Sequence, residues 1–227
     1  MSARLIAVSG TGTNVGKTFV ATALVRAVAV DGPVCGVKPF ESGHAALLGS
    51  DQVALADAST VNAAALGFTL RCFRDPVAPP EAARRAGERI DRDSFLATLQ
   101  GVRARFSGTL VLELAGGLFS PFDDACSNAD ILRCLTPELH VLVAPNRLGV
   151  IHDVRATVLA ARASGLRSDA LVLSEVTRDA DDSSRPSNLA ALGTWLRSTP
   201  IDFPHRCDDA VTRLRAAPSL RAAFPHR

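Results

Sequence analysis

Arg4-Leu-Ile-Ala-Val-Ser9 runs into Gly10-Thr-Gly-Thr-Asn-Val-Gly16 and then into Lys17-Thr-Phe-Val-Ala-Thr-Ala-Leu-Val-Arg-Ala-Val-Ala-Val30, which halts at Asp31-Gly32-Pro33. The first piece is apolar almost throughout, the pattern of a strand buried on both faces; the third has the length and the Gly-Pro stop of a helix. The glycine turn between them leaves backbone N–H groups free at the helix start, where the helix dipole and the Lys17 ammonium converge on one anion. A strand, a glycine loop closing on Gly16-Lys17-Thr18 and a helix are the setting of a phosphate-binding loop. Lys17 then sits on the β- and γ-phosphates, and the Thr18 hydroxyl sits on a magnesium ion that bridges them. The usual loop has four residues between its first glycine and Gly-Lys; here five lie between Gly10 and Gly16, so the loop is a variant.

The same alternation continues downstream. Val34-Cys-Gly-Val37, Thr109-Leu-Val-Leu-Glu113, His140-Val-Leu-Val-Ala144 and Ala170-Leu-Val-Leu173 read as further short buried strands. Helices are expected over Asp91 to Arg105, with Asp91 as N-cap, and over Gly149 to Ala163. Apolar strands alternating with helices predict an α/β fold: one doubly wound domain over 1–227, with a mainly parallel sheet and helices on both faces, of the P-loop NTPase type. Residues 41 to 90, with Pro76, Pro79 and Pro80, are the least regular region, and Asp179 to Pro186 is a polar loop.

Composition removes other classes. With 47% hydrophobic and 21% charged residues the 227-residue chain reads as an ordinary globular protein able to build a core without staples. A net charge of +2, from 25 basic and 23 acidic residues without a basic run, speaks against nucleic-acid binding. No apolar run reaches the ~18 residues of a membrane helix, and Met1-Ser-Ala-Arg-Leu-Ile lacks a signal-peptide profile, so a cytoplasmic protein with no membrane partner is expected. Cys35, Cys72, Cys126, Cys134 and Cys207 form no metal-ligand spacing and read as reduced, mostly buried thiols. Of all the basic residues only Lys17 and Lys38 are lysine, and each follows a strand. Two ammonium groups kept in an arginine-writing chain mark places where a compact charge fits and a planar fork does not.

Gly10-Thr-Gly-Thr-Asn-Val-Gly-Lys-Thr18, Val37-Lys38-Pro39-Phe-Glu-Ser42-Gly43, Ser50-Asp51, Glu113-Leu-Ala-Gly116-Gly117 with Pro121, and Leu148-Gly149-Val-Ile-His152 together resemble the dethiobiotin synthetase family, in the family's order over about 150 residues. That family is similar in its nucleotide-binding core to the cobyrinic acid amidase synthetases and to septum-site and partition ATPases. The resemblance implies a homodimer that uses ATP, Mg2+ and carbon dioxide (CO2) to close a cyclic urea on 7,8-diaminopelargonate. It implies a nucleotide site of Gly12, Thr13, Asn14, Val15, Gly16, Lys17, Thr18, Glu113, Gly116 and Ser174. Lys17, Lys38 and Thr13 are the implied catalytic residues, and Thr18, Asp51 and Glu113 the implied metal ligands. The implied diamine site is Ser42 with Leu148, Gly149, Val150 and His152, the last four reaching across the dimer.

Several positions carry a plainer alternative. Asp51 could cap a helix starting at Gln52, and Ser42 could merely turn the chain. A buried Glu113 without a cation would be costly, which favours a metal or lysine partner. His44, His140 and His205 match no motif and are expected on the surface or in packing; Trp195 is expected in the core. The chain departs from the family at Asn14, usually acidic, at Leu114, usually glycine, and in a short loop from Gly43 to Ser50. It also departs at Ser174-Glu175, where the family reads the base with Asn-Asp, and at His152, usually asparagine; with no tyrosine in the chain, a tyrosine closing the pocket is excluded. A partition-type ATPase would place a second lysine where Gly12 stands, a cobyrinic-type amidotransferase would need a glutaminase domain, and a non-catalytic relative remains the third alternative.

Overall fold

The computed structural model describes residues 2–44, 48–176, 182–205 and 208–224. Its main sheet has six strands, β1 (Arg4–Gly10), β2 (Val34–Val37), β5 (Thr109–Glu113), β6 (Leu139–Pro145), β7 (Ala170–Ser174) and β8 (Ile201–Phe203), ordered β2-β5-β1-β6-β7-β8 and parallel throughout. Two three-residue strands, β3 (Phe40–Ser42) and β4 (Arg71–Phe73), pair in parallel as a small separate sheet. The helices are α1 (Lys17–Ala29), α2 (Ser50–Ala58), α3 (Pro79–Arg85), α4 (Arg92–Arg105), α5 (Asn128–Leu135), α6 (Val150–Ala163), α7 (Arg185–Leu196) and α8 (Ala210–Ala216).

Alternation along β1 sends its side chains to two different cores. Ile6 and Val8 join Leu24 of α1, Leu214 of α8 and Phe203, while Leu5 and Ala7 join Leu99 of α4 and Ile131 and Leu132 of α5. A third cluster, Leu142, Leu171 and Leu173 with Val154 of α6 and Leu192 of α7, covers the β6–β7 side. The sheet is therefore buried on both faces, as a parallel sheet with crossover helices must be. Asp91 caps α4 as expected, its carboxylate accepting from the backbone N–H of Asp93 and Ser94 at 3.0 and 3.1 Å.

Residues 41–90, read as the least regular region, hold short elements only, the end of β3 with α2, β4 and α3, and no strand of the main sheet. Of the cysteines only Cys35 is buried; Cys72 and Cys126 are half-buried, Cys134 is exposed, and Cys207 lies outside the described residues. Trp195 is half-buried rather than core, with the guanidinium groups of Arg155 and Arg162 at 5.1 and 5.5 Å from its ring centre. Part of the polar loop, 179–181, is also outside the described residues. Among those described, no helix is long and apolar enough to cross a membrane.

Candidate active site

The parallel strands all end on one edge of the sheet, and there a cavity of about 600 Å3 opens between the loop after β1 and the loops after β2 and β5. The phosphate loop is held from both sides. Thr11 N–H donates to the Val143 carbonyl at 3.0 Å, and Leu118 N–H donates to the Gly10 carbonyl at 2.8 Å. Gly117 lies so close that a Cβ there would stand 3.3 Å from Gly12 Cα and N. Asn14 adopts φ 58°, a left-handed conformation that asparagine tolerates, and Gly16 at φ 89° starts α1. A Cβ on Gly16 would land on Ser174 Oγ, so the strand β7 end packs directly beneath the loop.

Lys17 is buried and folds back to donate to the Gly12 carbonyl at 2.8 Å. Burial pulls its pKa down to about 8; Glu113 opposes that fall, and the like charge of Lys38 adds to it. Lys38 follows β2, and Glu113 closes the neighbouring β5, which places Lys38 Nζ 3.0 Å from Glu113 Oε1. Lys38 also pairs with Asp51 on the first turn of α2. Burial alone would lower the Lys38 pKa, but the two carboxylates outweigh it and hold the ammonium above the ordinary lysine value. Glu113 is fully buried, and burial raises its pKa against the pull of Lys38.

Thr18 Oγ1 donates to Glu113 Oε1 at 2.9 Å, while Glu113 Oε2 is buried with no hydrogen-bond partner among the described residues. An orphaned carboxylate oxygen beside a threonine hydroxyl and the Asp51 carboxylate fits a hard cation that takes oxygen ligands. Among the described residues no group of three or more His, Cys, Asp or Glu is placed to hold a metal ion by itself.

Of the expected nucleotide and catalytic residues, Thr13, Asn14, Val15, Gly16, Lys17 and Thr18 line the cavity from the loop side; Lys38, Asp51, Glu113 and Gly116 line it from the other. Gly12 contributes its carbonyl to Lys17, and Ser174 does not line the cavity: its hydroxyl is buried behind Gly16 without a partner among the described residues. Val176 lines the cavity near the end of β7 instead. Ser42 is on the wall, its Oγ donating to the Val77 carbonyl at 2.7 Å. Leu148, Gly149, Val150 and His152 stand apart from it at the start of α6, with Leu148 77% exposed, Gly149 at φ 92°, Val150 buried and His152 exposed.

Three contributors were not foreseen. Glu41 is buried on β3 and accepts at Oε1 from Asp51 N–H (3.2 Å) and at Oε2 from Gln52 N–H (3.0 Å). Gln52 donates to the carbonyls of Lys38 and Arg71, both at 3.0 Å. His44, expected to be an ordinary surface or packing residue, lines the cavity with Nε2 3.1 Å from Glu41 Oε1. His140 is a packing residue as expected, buried between the Ser9 hydroxyl (2.7 Å) and the Arg167 carbonyl (3.1 Å). The sequence signal for Glu41 was its place inside Lys38–Gly43, without anything to say what it touches.

A variant phosphate loop between the central strand and α1 of an all-parallel sheet, with a second lysine and two carboxylates facing it, defines a P-loop nucleotide-binding protein of the α/β class. Residues 4–201 match a family model described as an AAA domain. The ATP-dependent dethiobiotin synthetase BioD of a Caulobacter species is 36% identical over 224 residues, covering 96% of this chain and 95% of the relative. That of Anaeromyxobacter dehalogenans is 34% identical, covering 95% and 96%, and that of Rhodopirellula baltica is 34% identical, covering 85% and 80%. The chain belongs to the dethiobiotin synthetase family. A solved MinC:MinD cell division protein complex from Aquifex aeolicus shares the fold at TM-score 0.52 and 13% identity, covering 97% of this chain and 86% of that one.

Proposed function

We propose that the chain is an ATP-dependent ligase that closes a cyclic urea, dethiobiotin, from 7,8-diaminopelargonate and CO2. The observation that carries the reading is Lys38: a second buried ammonium, 3.0 Å from Glu113, aimed into the same cavity as Lys17. A carbamate is a poor electrophile because its oxygen leaves badly, and phosphorylation by the γ-phosphoryl group of ATP makes it a mixed anhydride that a neighbouring amine can attack with loss of phosphate. Positive charge placed beforehand on both sides of the transferred group lowers that barrier, and no solvent has to reorganise. Lys17 holds the β- and γ-phosphates; Lys38 spans the γ-phosphate and the carbamate; Thr13 lies beside them on the cavity wall.

Thr18, Asp51 and Glu113 would hold Mg2+, which when bound neutralises phosphate charge during transfer. In this structure Asp51 and Glu113 both pair with Lys38, so that ammonium is not left as a buried unpaired charge. Ser42 on the wall and the start of α6, Leu148 to His152, supply the diamine site. Because the α6 start lies outside the cavity of one chain, the proposal includes a homodimer in which the partner brings that helix start, at the positive end of the helix dipole, to the diamine carboxylate. The described cysteines are unpaired, which suits a cytoplasmic enzyme.

The test is to incubate the protein with ATP, Mg2+, bicarbonate and the diamine and to look for the cyclic urea by mass together with released phosphate. Formation of both supports the proposal; nucleotide turnover without the urea would favour an ATPase switch, and neither product would favour a non-catalytic relative.

A further inference from the structure

We infer that Glu41 is the positioning residue that aims Asp51 into the site, by completing from another strand a helix cap that α2 cannot make for itself. The inference rests on the proposed place of Asp51 in the magnesium shell. The N-cap of α2 is Gly49, which has no side chain to accept from the first free N–H groups of the helix. Half of a capping box is present: Gln52, at the third helical position, accepts the Gly49 N–H at 3.1 Å through Oε1. The other half comes from β3, where both oxygens of Glu41 take the N–H groups of Asp51 and Gln52.

The consequence is geometric. Lys38 and Glu41 belong to one short segment, and three ties bind it to the first turn of α2: the Lys38–Asp51 ion pair, the Gln52 amide on the Lys38 carbonyl, and the Glu41 carboxylate on the backbone of Asp51 and Gln52. The last two fix where the Asp51 backbone starts, and so where its carboxylate points once Lys38 turns to phosphate. Glu41 itself is 3% exposed, and its Oε1 also meets His44 Nε2, so it is held in place rather than free to ligate.

Gly49 supplies an independent handle. Its backbone, φ −74° and ψ 164°, is ordinary for alanine, yet a Cβ there would fall on the Glu41 carboxyl group. Gly49→Ala therefore leaves every side chain of the cluster unchanged and pushes out only the end of one flexible side chain, whereas Glu41→Gln leaves the space and removes one of the two acceptors.

The experiment is a calorimetric Mg2+ titration of the whole protein saturated with a non-hydrolysable ATP analogue, for the parent, Glu41→Gln, Gly49→Ala and the double variant, with thermal unfolding of each. Outer residues that orient metal ligands are typically worth 10–100-fold in metal affinity. Glu41→Gln and Gly49→Ala are each expected to weaken Mg2+ by about tenfold, with nucleotide affinity in the absence of Mg2+ at the parental value, and the double variant is expected to be no worse than the poorer single. A folded Glu41→Gln or Gly49→Ala with parental Mg2+ affinity overturns the inference, as does a double variant whose losses multiply. Should Glu41→Gln not fold, Gly49→Ala alone decides by the same criterion. A parent protein that binds the analogue with no Mg2+ dependence overturns the assignment of Asp51 itself, a result distinct from failure of Glu41 to position it.

Discussion

Lys38 and Glu113 face each other from the ends of two hydrogen-bonded parallel strands, Nζ to Oε1 3.0 Å, and the second oxygen of Glu113 has no protein partner among the described residues. Asp51 shares the same ammonium. Glu113→Gln or Asp51→Asn alone leaves Lys38 one carboxylate, so each variant should fold with near-parental stability and raise the Mg2+ concentration needed for turnover. The double variant strands a buried ammonium and should lose about 3–5 kcal/mol in urea unfolding. Losses that merely add, with unchanged Mg2+ demand, would remove both carboxylates from the site.

Lys17 gives the site a pH signature. Its pKa in the folded chain, about 8, lies below its unfolded value, so the unfolded chain holds the extra proton between the two and Lys17 favours folding increasingly as pH rises through that window. Nucleotide phosphate reverses the preference and favours the charged lysine. Binding at about pH 9 should therefore take up a proton, and binding at about pH 6.5 should not. Calorimetry in buffers of different ionisation enthalpy measures the uptake; Lys17→Met should abolish it, and buffer-independent heats in the parent at the higher pH would contradict the burial of Lys17.

Lys17→Ala and Lys38→Ala should each lower turnover on the order of 100–1,000-fold in a folded protein, the usual loss for one preorganised donor. Lys→Arg at either position should not restore it, because a planar fork does not match the space of a point charge. Steady-state kinetics with phosphate release are the measurement, and near-parental turnover in either alanine variant would sink the assignment.

Gly16 and Ser174 form a contact that separates support from recognition. Gly16→Ala meets both a left-handed φ and the Ser174 hydroxyl and should destabilise the protein by about 2 kcal/mol or more. Ser174→Ala removes a buried hydroxyl with no partner among the described residues and should be neutral or slightly stabilising. Its preference for ATP over GTP should stay parental; a tenfold change in that preference would place Ser174 on the base after all.

Leu148, 77% exposed at the mouth of α6, should be covered by the second subunit. Leu148→Asp is expected to shift the sedimentation mass toward the monomer and to weaken the diamine while the ATP analogue still binds. A dimer that survives the substitution with intact diamine affinity would move the interface elsewhere.

The strands β1, β2, β5, β6 and β7 were legible because each is a short apolar run with side chains buried on both faces, and the loop before α1 because glycine, lysine and threonine are needed there for one ligand. The strands β3, β4 and β8, three residues each, are too short for any alternation to register. Lys38, Asp51 and Glu113 were legible as a set through their motif. Glu41 was not, because its partners are backbone N–H groups of a helix ten residues on, and a backbone donor leaves no mark in sequence. Ser174 was legible as a strand end, but past that end nothing fixes direction, and its hydroxyl turned toward Gly16. Trp195 sits on a helix at the flank of the sheet, where a ring can be half covered by arginine instead of by core.

The central place of β1 has a consequence for synthesis. The strand that leads into the phosphate loop leaves the ribosome before both of its neighbours, β5 and β6, and the loop itself is tied to Val143 and Leu118. Pairing of this kind cannot begin until the later partners exist, and closure over such separations is slow. A nascent chain that ends between Thr18 and Thr109 would carry the whole glycine motif and neither of the strands that flank β1. Nucleotide can thus act as a late-binding ligand that recognises only chains in which the middle strand has already been enclosed.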